Sequence, residues 1–259
     1  MFPRLITIGS FFLPTYGTLV AIAFLVGLYV TVHFAKRAGL KTDPIVNLAI
    51  YTALAGLLGA KIAMVLFDFG KYRTGEIKLF SLETLQAAGV YQGGLVLGLV
   101  VAAWYIRRQH LPWLTTLDVF SPGLAVGHAI GRLGCLCAGC CWGIATHVPW
   151  AITFRNYQAA GLTGVPLGIP LHPTQIYESL AEAMIFVLLF WRIRRPHADG
   201  LIFGLYLILY SVSRFVIEFY RFHEQPLELG LSLTQWISIA LLLFGVWVLL
   251  NRRKTTPAH

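Results

Sequence analysis

The sequence predicts an all-α integral membrane protein with about seven transmembrane helices, its N-terminus outside and its C-terminus in the cytoplasm. Three observations support this fold class. Of the 259 residues, 57% are hydrophobic and only 12% are charged, whereas a soluble domain carries about 25% charged residues. Apolar runs approaching the roughly 20 residues that a bilayer span requires recur along the chain. Short basic clusters stand at the ends of these runs.

The predicted spans lie at roughly 15–35, 46–67, 88–106, 114–131, 174–192, 200–218 and 231–250. The first apolar run continues to Ala35 without a basic leader or a small-residue cleavage site, so we expect a retained helix. In the third, Gly93 and Gly94 allow close packing against a neighbour. The fifth follows Pro173, which suits the start of a helix. With no large hydrophilic block, the prediction is a single membrane domain over 1–259.

The orientation follows from the distribution of lysine and arginine. Eleven basic residues fall after the odd-numbered spans: Lys36, Arg37, Lys41, Arg107, Arg108, Arg192, Arg194, Arg195, Arg252, Arg253 and Lys254. Six fall on the opposite side: Arg4, Lys71, Arg73, Lys78, Arg155 and Arg221. The long loops, near 68–87 and 143–173, are therefore expected outside. Because the net charge of +9 is distributed in this way, it does not indicate a nucleic-acid partner.

Two arginines within the apolar sequence are the first candidate site residues. On a helix, Arg214, Glu218 and Arg221 share one face, so Arg214 and Glu218 can pair and Arg221 lies a further turn toward the aqueous edge. Arg132 follows Gly131 in a glycine-rich segment. Because an arginine in the bilayer is costly, two of them suggest a site for an anion, and phosphate suits the guanidinium fork. The alternative is a structural ion pair between helices.

The glycines around Arg132, which include Gly134 and Gly143, suit a loop or a broken helix around a lipid headgroup. Helix packing through small residues is the alternative. The cysteines crowd into the same segment, at Cys135, Cys137, Cys140 and Cys141. Small buried side chains are the preferred interpretation, followed by a disulfide if the segment faces outside, and then by metal or redox chemistry. We assign no metal and no cofactor.

The segment Leu171–Glu178 places polar residues at the start of the fifth span. His172 is expected at the outer membrane edge, in a structural or a direct role. Glu178 and Glu182 are one turn apart within the span, so at least one should face the protein interior. An interfacial tyrosine, Tyr16, begins the first span.

These motifs together resemble the prolipoprotein diacylglyceryl transferase family over most of the chain. The similar segments are Tyr16-Gly17, Gly59-Ala-Lys61, Gly89 to Gly94 (the family's His-Gly-Gly box, here with Tyr91 and Gln92), Gly131-Arg-Leu-Gly134 through Gly143, His172-Pro-Thr-Gln-Ile-Tyr-Glu178, Arg214-Phe-x-x-Glu218-x-x-Arg221 and Ser232 to Ser238. The histidine–proline motif and the arginine motif are the most specific.

The resemblance implies seven helices and a site that opens toward the outer leaflet of a bacterial inner membrane. It also implies a reaction in which the lipobox cysteine thiol of a preprolipoprotein attacks the glycerol carbon of phosphatidylglycerol that carries the phosphate. A thioether forms and glycerol phosphate leaves. Arg132 and Arg214 would hold the phosphate and stabilise its charge as it leaves, with Glu218 orienting Arg214. The implied partners are phosphatidylglycerol, the preprolipoprotein signal peptide and the lipid bilayer.

By the same resemblance, Tyr16, Gln92 and His172 join the catalytic candidates, and Arg221, Tyr91, Gly93, Gly94, Gly134, Gly143 and Lys61 join the substrate-binding candidates.

Several positions depart from the family pattern. Gln92 replaces the family's histidine, and the family's Asn, Asn and Glu fall at Cys135, Ala138 and Cys140. Glutamine cannot act as a base at neutral pH. One interpretation is a transferase whose base is Tyr91, His172 or none beyond the thiol's own ionisation. The other is a relative that binds an anionic lipid but uses another acceptor or lacks the transfer. A binding or transport protein without chemistry is a third hypothesis.

Overall fold

The computed structural model describes residues 4–8, 11–74, 89–223 and 227–251. Most of the expected outer loop near 68–87 lies outside the described residues, and so does the polar tail after Asn251. The same is true of four of the basic residues used for the orientation, Lys78, Arg252, Arg253 and Lys254.

The described chain is mainly helical, with four short strands. The helices are α1 (Thr15–Arg37), α2 (Thr42–Phe67), α3 (Phe69–Arg73), α4 (Tyr91–Arg108), α5 (Trp113–Ala138), α6 (Tyr157–Thr163), α7 (Thr174–Arg192), α8 (Leu201–Glu218) and α9 (Leu233–Asn251). The strands are β1 (Arg4–Ile8), β2 (Phe11–Pro14), β3 (Ile152–Thr153) and β4 (Pro170–Leu171), which form two antiparallel pairs, β1 with β2 and β3 with β4. Each predicted span coincides with one of the seven helices that have 18 or more described residues.

The chain forms two compact units, Met1–Phe34 with Leu117–His259, and Ala35–Thr116. The first unit contains most of α1 and α5 together with α7, α8 and α9. The second contains α2, α3 and α4. The assignment of all 259 residues to one membrane domain stays a prediction.

In the second unit, α2 and α4 approach closely through glycine. A Cβ atom on Gly94 would stand 2.7 Å from the carbonyl oxygen of Gly56, and one on Gly93 would stand 2.5 Å from that of Gly59. The Val90 amide also donates to the Ala60 carbonyl at 3.0 Å. The close packing expected of the Gly93–Gly94 pair is thus confirmed.

In the first unit, a buried apolar cluster joins three helices. Ala125 on α5, Ile185 and Leu189 on α7 and Ile202 on α8 form this core. The N-terminus of α8 is fixed by Asp118 of α5, whose two carboxylate oxygens accept from the amides of Gly200 at 2.7 Å and Phe203 at 2.8 Å. A single buried carboxylate therefore satisfies two amides at the start of another helix.

The segment between α5 and α7, expected as a long outer loop, has structure of its own. Asn156 caps α6 by accepting from the amides of Gln158 and Ala159. The residues Phe154, Ala159, Val165 and Leu171 form a second buried cluster with Trp142 packed against it. Because this segment has its own apolar core, it can hold the end of α5 and the start of α7 in fixed positions.

Apolar side chains remain exposed along the long helices, including Leu57 on α2, Leu99 on α4, Val187 on α7 and Leu243 on α9. Four helices, α1, α2, α8 and α9, are long and apolar enough to cross a membrane. The other three long helices are less apolar. An apolar exterior of this extent matches an integral membrane protein, because a soluble monomer rarely exposes large contiguous apolar patches.

Candidate active site

The candidate site lies in the first unit and centres on Glu178, which is 4% exposed. Arg132 of α5 places its Nε 2.5 Å from Glu178 Oε2. Arg214 of α8 places Nη1 3.5 Å from Glu178 Oε1, and Arg221 places its own Nη1 3.2 Å from the same oxygen. Three guanidinium groups, from α5, from α8 and from the turn after α8, therefore converge on one buried carboxylate.

Arg132 lies within α5 and not in a loop. The expectation of a loop or broken helix at 131–143 is wrong for residues 131–138, because α5 continues through Ala138. The next residue, Gly139, terminates the helix with a φ of +79°. The amide of Cys140 donates to the Cys135 carbonyl at 3.1 Å, which closes a glycine-terminated helix end. Helix packing also contributes at Gly134, where a Cβ would stand 3.3 Å from the ring of Tyr16 on α1.

The pair of Arg214 and Glu218, expected from their spacing, is confirmed by a distance of 2.8 Å between Arg214 Nη2 and Glu218 Oε2. Glu218 Oε1 in turn accepts from the Ser232 hydroxyl at 3.0 Å. Ser232 and Gln235 form a capping box at the start of α9: Ser232 Oγ accepts from the Gln235 amide, and Gln235 Oε1 accepts from the Ser232 amide. The beginning of α9 thus fixes the carboxylate that holds Arg214.

Arg221 does not continue the helix face of Arg214 and Glu218, as the spacing suggested. The helix α8 ends at Glu218, and the chain then turns so that Arg221 pairs in a β-bridge with Gly143. The change of direction sends its guanidinium back toward Glu178 instead of toward the aqueous edge. Arg221 therefore reaches the site because of this turn, and helical spacing alone could not predict that contact.

His128 lies one helical turn before Arg132 on α5, and Glu182 lies one helical turn after Glu178 on α7. These two residues extend the cluster along both helices. His128 Nδ1 stands 3.1 Å from Glu182 Oε1, and its Nε2 accepts from Arg132 Nε at 3.1 Å. A narrow gap that is too small to admit a water molecule adjoins them. It is lined by His128, Glu178, Glu182, Tyr210, Ser213, Arg214 and Ile217. Both glutamates are buried, which confirms that this part of α7 faces the protein interior.

His172 lies in an aromatic cluster. Its Nδ1 stands 3.1 Å from the hydroxyl of Tyr177, and its ring centroid stands 5.1 Å from that of Tyr220. The Tyr177 hydroxyl also accepts from the Trp150 indole at 2.7 Å. Gly143 fits beside this cluster, since a Cβ there would stand 2.6 Å from the carbonyl oxygen of His172. The described contacts of the His172 ring are with Tyr177 and Tyr220, and none of them is with the three arginines.

The cysteine segment places three thiols together. The Sγ atoms of Cys135, Cys140 and Cys141 all lie within 4.8 Å of one another, and Cys137 is not part of the group. The pKa of the Cys141 thiol is lowered by hydrogen bonds from Cys135 and Cys140 and by the nearby charges of Arg221 and Arg132.

The remaining candidates lie in the second unit. Lys61 is on α2, and Tyr91 and Gln92 are exposed at the N-terminal end of α4. Gly93 and Gly94 follow them and form the contact with α2 described above. The structure therefore explains the two glycines by helix packing.

The site residues predicted from the sequence did not include His128, Glu178 or Glu182. A signal was available for His128, because it precedes Arg132 by one helical turn on the same face. Glu178 and Glu182 have the same spacing on α7. Their convergence with Arg132 could not be read from spacing, since it depends on how α5 and α7 pack.

The fold and the site together define an integral membrane protein with a buried arginine–carboxylate cluster. Residues 3–251 match the family model described as prolipoprotein diacylglyceryl transferase. The chain belongs to this family.

Curated relatives agree over nearly their full lengths. A phosphatidylglycerol–prolipoprotein diacylglyceryl transferase of Clostridium tetani is 32% identical over 234 residues, covering 90% of this chain and 90% of the relative. Proteins of the same name from Finegoldia magna and Methylobacillus flagellatus are 30% and 31% identical, covering 92% and 96% of this chain and 91% and 95% of the relatives.

Proposed function

We propose that this protein transfers the diacylglyceryl group of phosphatidylglycerol to the lipobox cysteine thiol of a preprolipoprotein. The sulfur attacks the glycerol carbon that carries the phosphate, the carbon–oxygen bond to the phosphate breaks, and glycerol phosphate leaves. The thiol gives up its proton as the thioether forms. The names of the relatives, their coverage of the chain and the buried arginines support this function.

The observation that carries the proposal is the way in which Arg132 and Arg214 are held. Arg132 contacts both Glu178 and His128 through Nε, so the described contacts leave its two terminal nitrogens for another acceptor. Arg214 is anchored to Glu218 through Nη2, while its buried Nη1 lies 3.5 Å from Glu178 Oε1 and makes no hydrogen bond among the described residues. Both guanidiniums are fixed at one edge and can present donors at the other.

Fixed guanidiniums suit the chemistry of a phosphate leaving group. The departing oxygen gains negative charge in the transition state, and preorganised donors stabilise that charge without reorganising at the moment of reaction. Glu178 and Glu218 keep the arginines in place, and Arg221 adds a third positive charge beside Glu178. The Arg132 side chain is 15% exposed, which leaves it accessible to a headgroup.

The other predicted residues take supporting roles in this proposal. Tyr16 and Gly134 form the contact of α1 with α5 beside Arg132, and Gly143 lies beside His172. Lys61, Tyr91, Gln92, Gly93 and Gly94 belong to the second unit and remain candidates for binding the substrate. For the thiol proton, Tyr91 and His172 are the candidate bases, because Gln92 cannot accept a proton at neutral pH.

We infer that the protein is a multi-pass protein of the bacterial inner membrane, with all seven long helices spanning and the N-terminus outside. The basic residues at the ends of the helices support this orientation. It places the C-terminal end of α5 and the segment 143–173 on the outer side, where a translocated lipobox cysteine would arrive.

The test is a transfer assay with purified full-length protein in liposomes, labelled phosphatidylglycerol and a peptide that contains a lipobox cysteine. We expect the peptide to gain the mass of one diacylglyceryl group. Arg132→Ala and Arg214→Ala should each lower the rate at least about 100-fold, the loss typical of a removed donor to developing negative charge. Arg37→Ala is the matched control, because Arg37 is an exposed arginine in the last turn of α1.

Retained transfer in a folded Arg132→Ala or Arg214→Ala variant would contradict the assigned roles. Absence of transfer by the unchanged protein, beside an active enzyme of the same family, would favour the other interpretation, a relative that binds the lipid and uses a different acceptor. Binding of phosphatidylglycerol, measured separately, would then show whether the arginine cluster still holds the headgroup.

A further inference from the structure

The cluster of Cys135, Cys140 and Cys141 has no role in the proposed transfer. We propose that these three thiols form a tris-thiolate binding site for a soft metal ion, Zn²⁺ or Cu⁺. Their Sγ atoms lie within 4.8 Å of one another. A zinc–thiolate bond of about 2.3 Å brings bound sulfurs to about 4 Å apart, so only a small contraction is required. Thiolates are the ligands that Zn²⁺ and Cu⁺ prefer.

The backbone brings these thiols together through an unusual turn. Cys135 lies in the last turn of α5, and the chain reverses at Gly139. Cys141 then adopts a φ of +61°, a conformation that residues other than glycine rarely take. A strained backbone of this kind persists only where the surroundings hold it, and it is found most often at functional sites.

Two buried side chains of α7 hold the turn in place. Gln175 Nε2 donates to the Cys140 carbonyl at 2.6 Å, and Thr174 Oγ1 donates to the Cys141 carbonyl at 2.8 Å. Both side chains are almost fully buried. These hydrogen bonds fix the backbone of Cys140 and Cys141 with their thiols close to Cys135. The three ligands are therefore already arranged before an ion binds.

The surrounding charge suits a metal thiolate. Three thiolates around Zn²⁺ carry a net charge of −1, and around Cu⁺ a net charge of −2. Arg132 and Arg221 act electrostatically on Cys141. Both also contact Glu178, so they would offset part of that charge. Binding would release a proton from each thiol that is protonated, because the thiolate is the ligand.

A disulfide is the competing use of these cysteines, and it would join only two of the three. Because all three thiols lie close together, a bound ion that contacts all of them accounts for the arrangement better than a disulfide does. Cys137 offers a matched control, because it lies in the same helix turn and outside the cluster.

The experiment uses full-length protein in detergent, freed of metal with a chelator and kept reduced without oxygen. Zn²⁺ and Cu⁺ are titrated in separate arms against chromophoric chelators. We expect one ion per chain in at least one arm. Cys135→Ser, Cys140→Ser and Cys141→Ser should each weaken binding at least about tenfold, because losing even a residue that supports a metal ligand costs about 10–100-fold in affinity, whereas Cys137→Ser should bind like the unchanged protein.

A second measurement does not depend on the variants. Co²⁺ added to the reduced protein should give the near-ultraviolet sulfur-to-metal charge-transfer absorption of cobalt thiolates, and Zn²⁺ should displace it. Absence of that absorption together with absence of stoichiometric binding in both arms would overturn the proposal. One-to-one binding that survives in the triple serine variant would also overturn it, and so would a disulfide between two of the three thiols in protein isolated without reductant.

Discussion

Glu178 is the residue on which the candidate site depends. A carboxylate that is 4% exposed would be strongly unfavourable in an apolar interior without compensation. Arg132, Arg214 and Arg221 supply that compensation, and each of them is in turn buried or partly buried. Because the charges support one another, removing the central carboxylate should leave three guanidiniums close together without their common partner.

We therefore expect Glu178→Gln to lower the free energy of unfolding by about 3–5 kcal/mol, the range for loss of one partner from a buried ion pair. The substitution keeps the shape of the side chain and removes only its charge. The measurement is denaturant unfolding of the purified protein in detergent, followed by circular dichroism.

Glu182→Gln is the control for this prediction. Glu182 is equally buried, but its described partner is His128 alone, at 3.1 Å. We expect a smaller loss of stability than for Glu178→Gln. Equal losses in the two variants would show that Glu178 does not have the central role that its three arginines indicate.

At the scale of an element, the position of α8 depends on a contact across the fold. Asp118 of α5 is 2% exposed and accepts from two amides at the N-terminus of α8. Its negative charge also lies at the positive end of the helix dipole. Because α8 carries Arg214 and Glu218, this carboxylate helps to place the site from the opposite end of the helix.

Asp118→Ala should leave the buried amide of Gly200 and the partly buried amide of Phe203 without their acceptor, and an unsatisfied buried group costs about 1–3 kcal/mol. We expect a clear decrease in the midpoint of denaturant unfolding and faster hydrogen exchange in the first turn of α8. Asp43→Ala is the matched control, because Asp43 is an exposed carboxylate in the first turn of α2 and should contribute about 0.3–1 kcal/mol. Similar effects of the two substitutions would contradict the capping role of Asp118.

At the scale of the whole molecule, the exposed apolar helices and the basic residues at their ends determine how the chain inserts. The inferred arrangement has seven spans with an outer N-terminus, so the C-terminus after α9 lies in the cytoplasm. Each additional span reverses the side on which the chain emerges, which makes the arrangement testable by reporters.

We expect a C-terminal fusion to a fluorescent protein that matures only in the cytoplasm to be fluorescent, and a C-terminal alkaline phosphatase fusion to be inactive. A matched pair fused after Gly230, between α8 and α9, should give the opposite result. An active phosphatase at the C-terminus would exclude the inferred orientation. Equal results at the two positions would show that α9 does not span.

The sequence by itself determined the class of the fold, the positions of the long helices and the local pairing of Arg214 with Glu218. Composition and hydrophobic runs indicate the environment that a segment prefers, and a spacing of four residues brings side chains together on any helix. The start of α7 at Thr174 after Pro173 was predictable for the same reason, since a helix start is a local signal.

Only the tertiary structure decided which distant residues meet. The continuation of α5 past Arg132, the turn that directs Arg221 to Glu178 and the inclusion of Cys135 but not Cys137 in the thiol cluster all depend on how α5, α7 and α8 pack. The physical reason is that a helix fixes the angle between its own side chains, whereas the approach of two helices follows from the summed contacts of many residues. The site is built from such approaches, so its centre at Glu178 could not be read from any single motif.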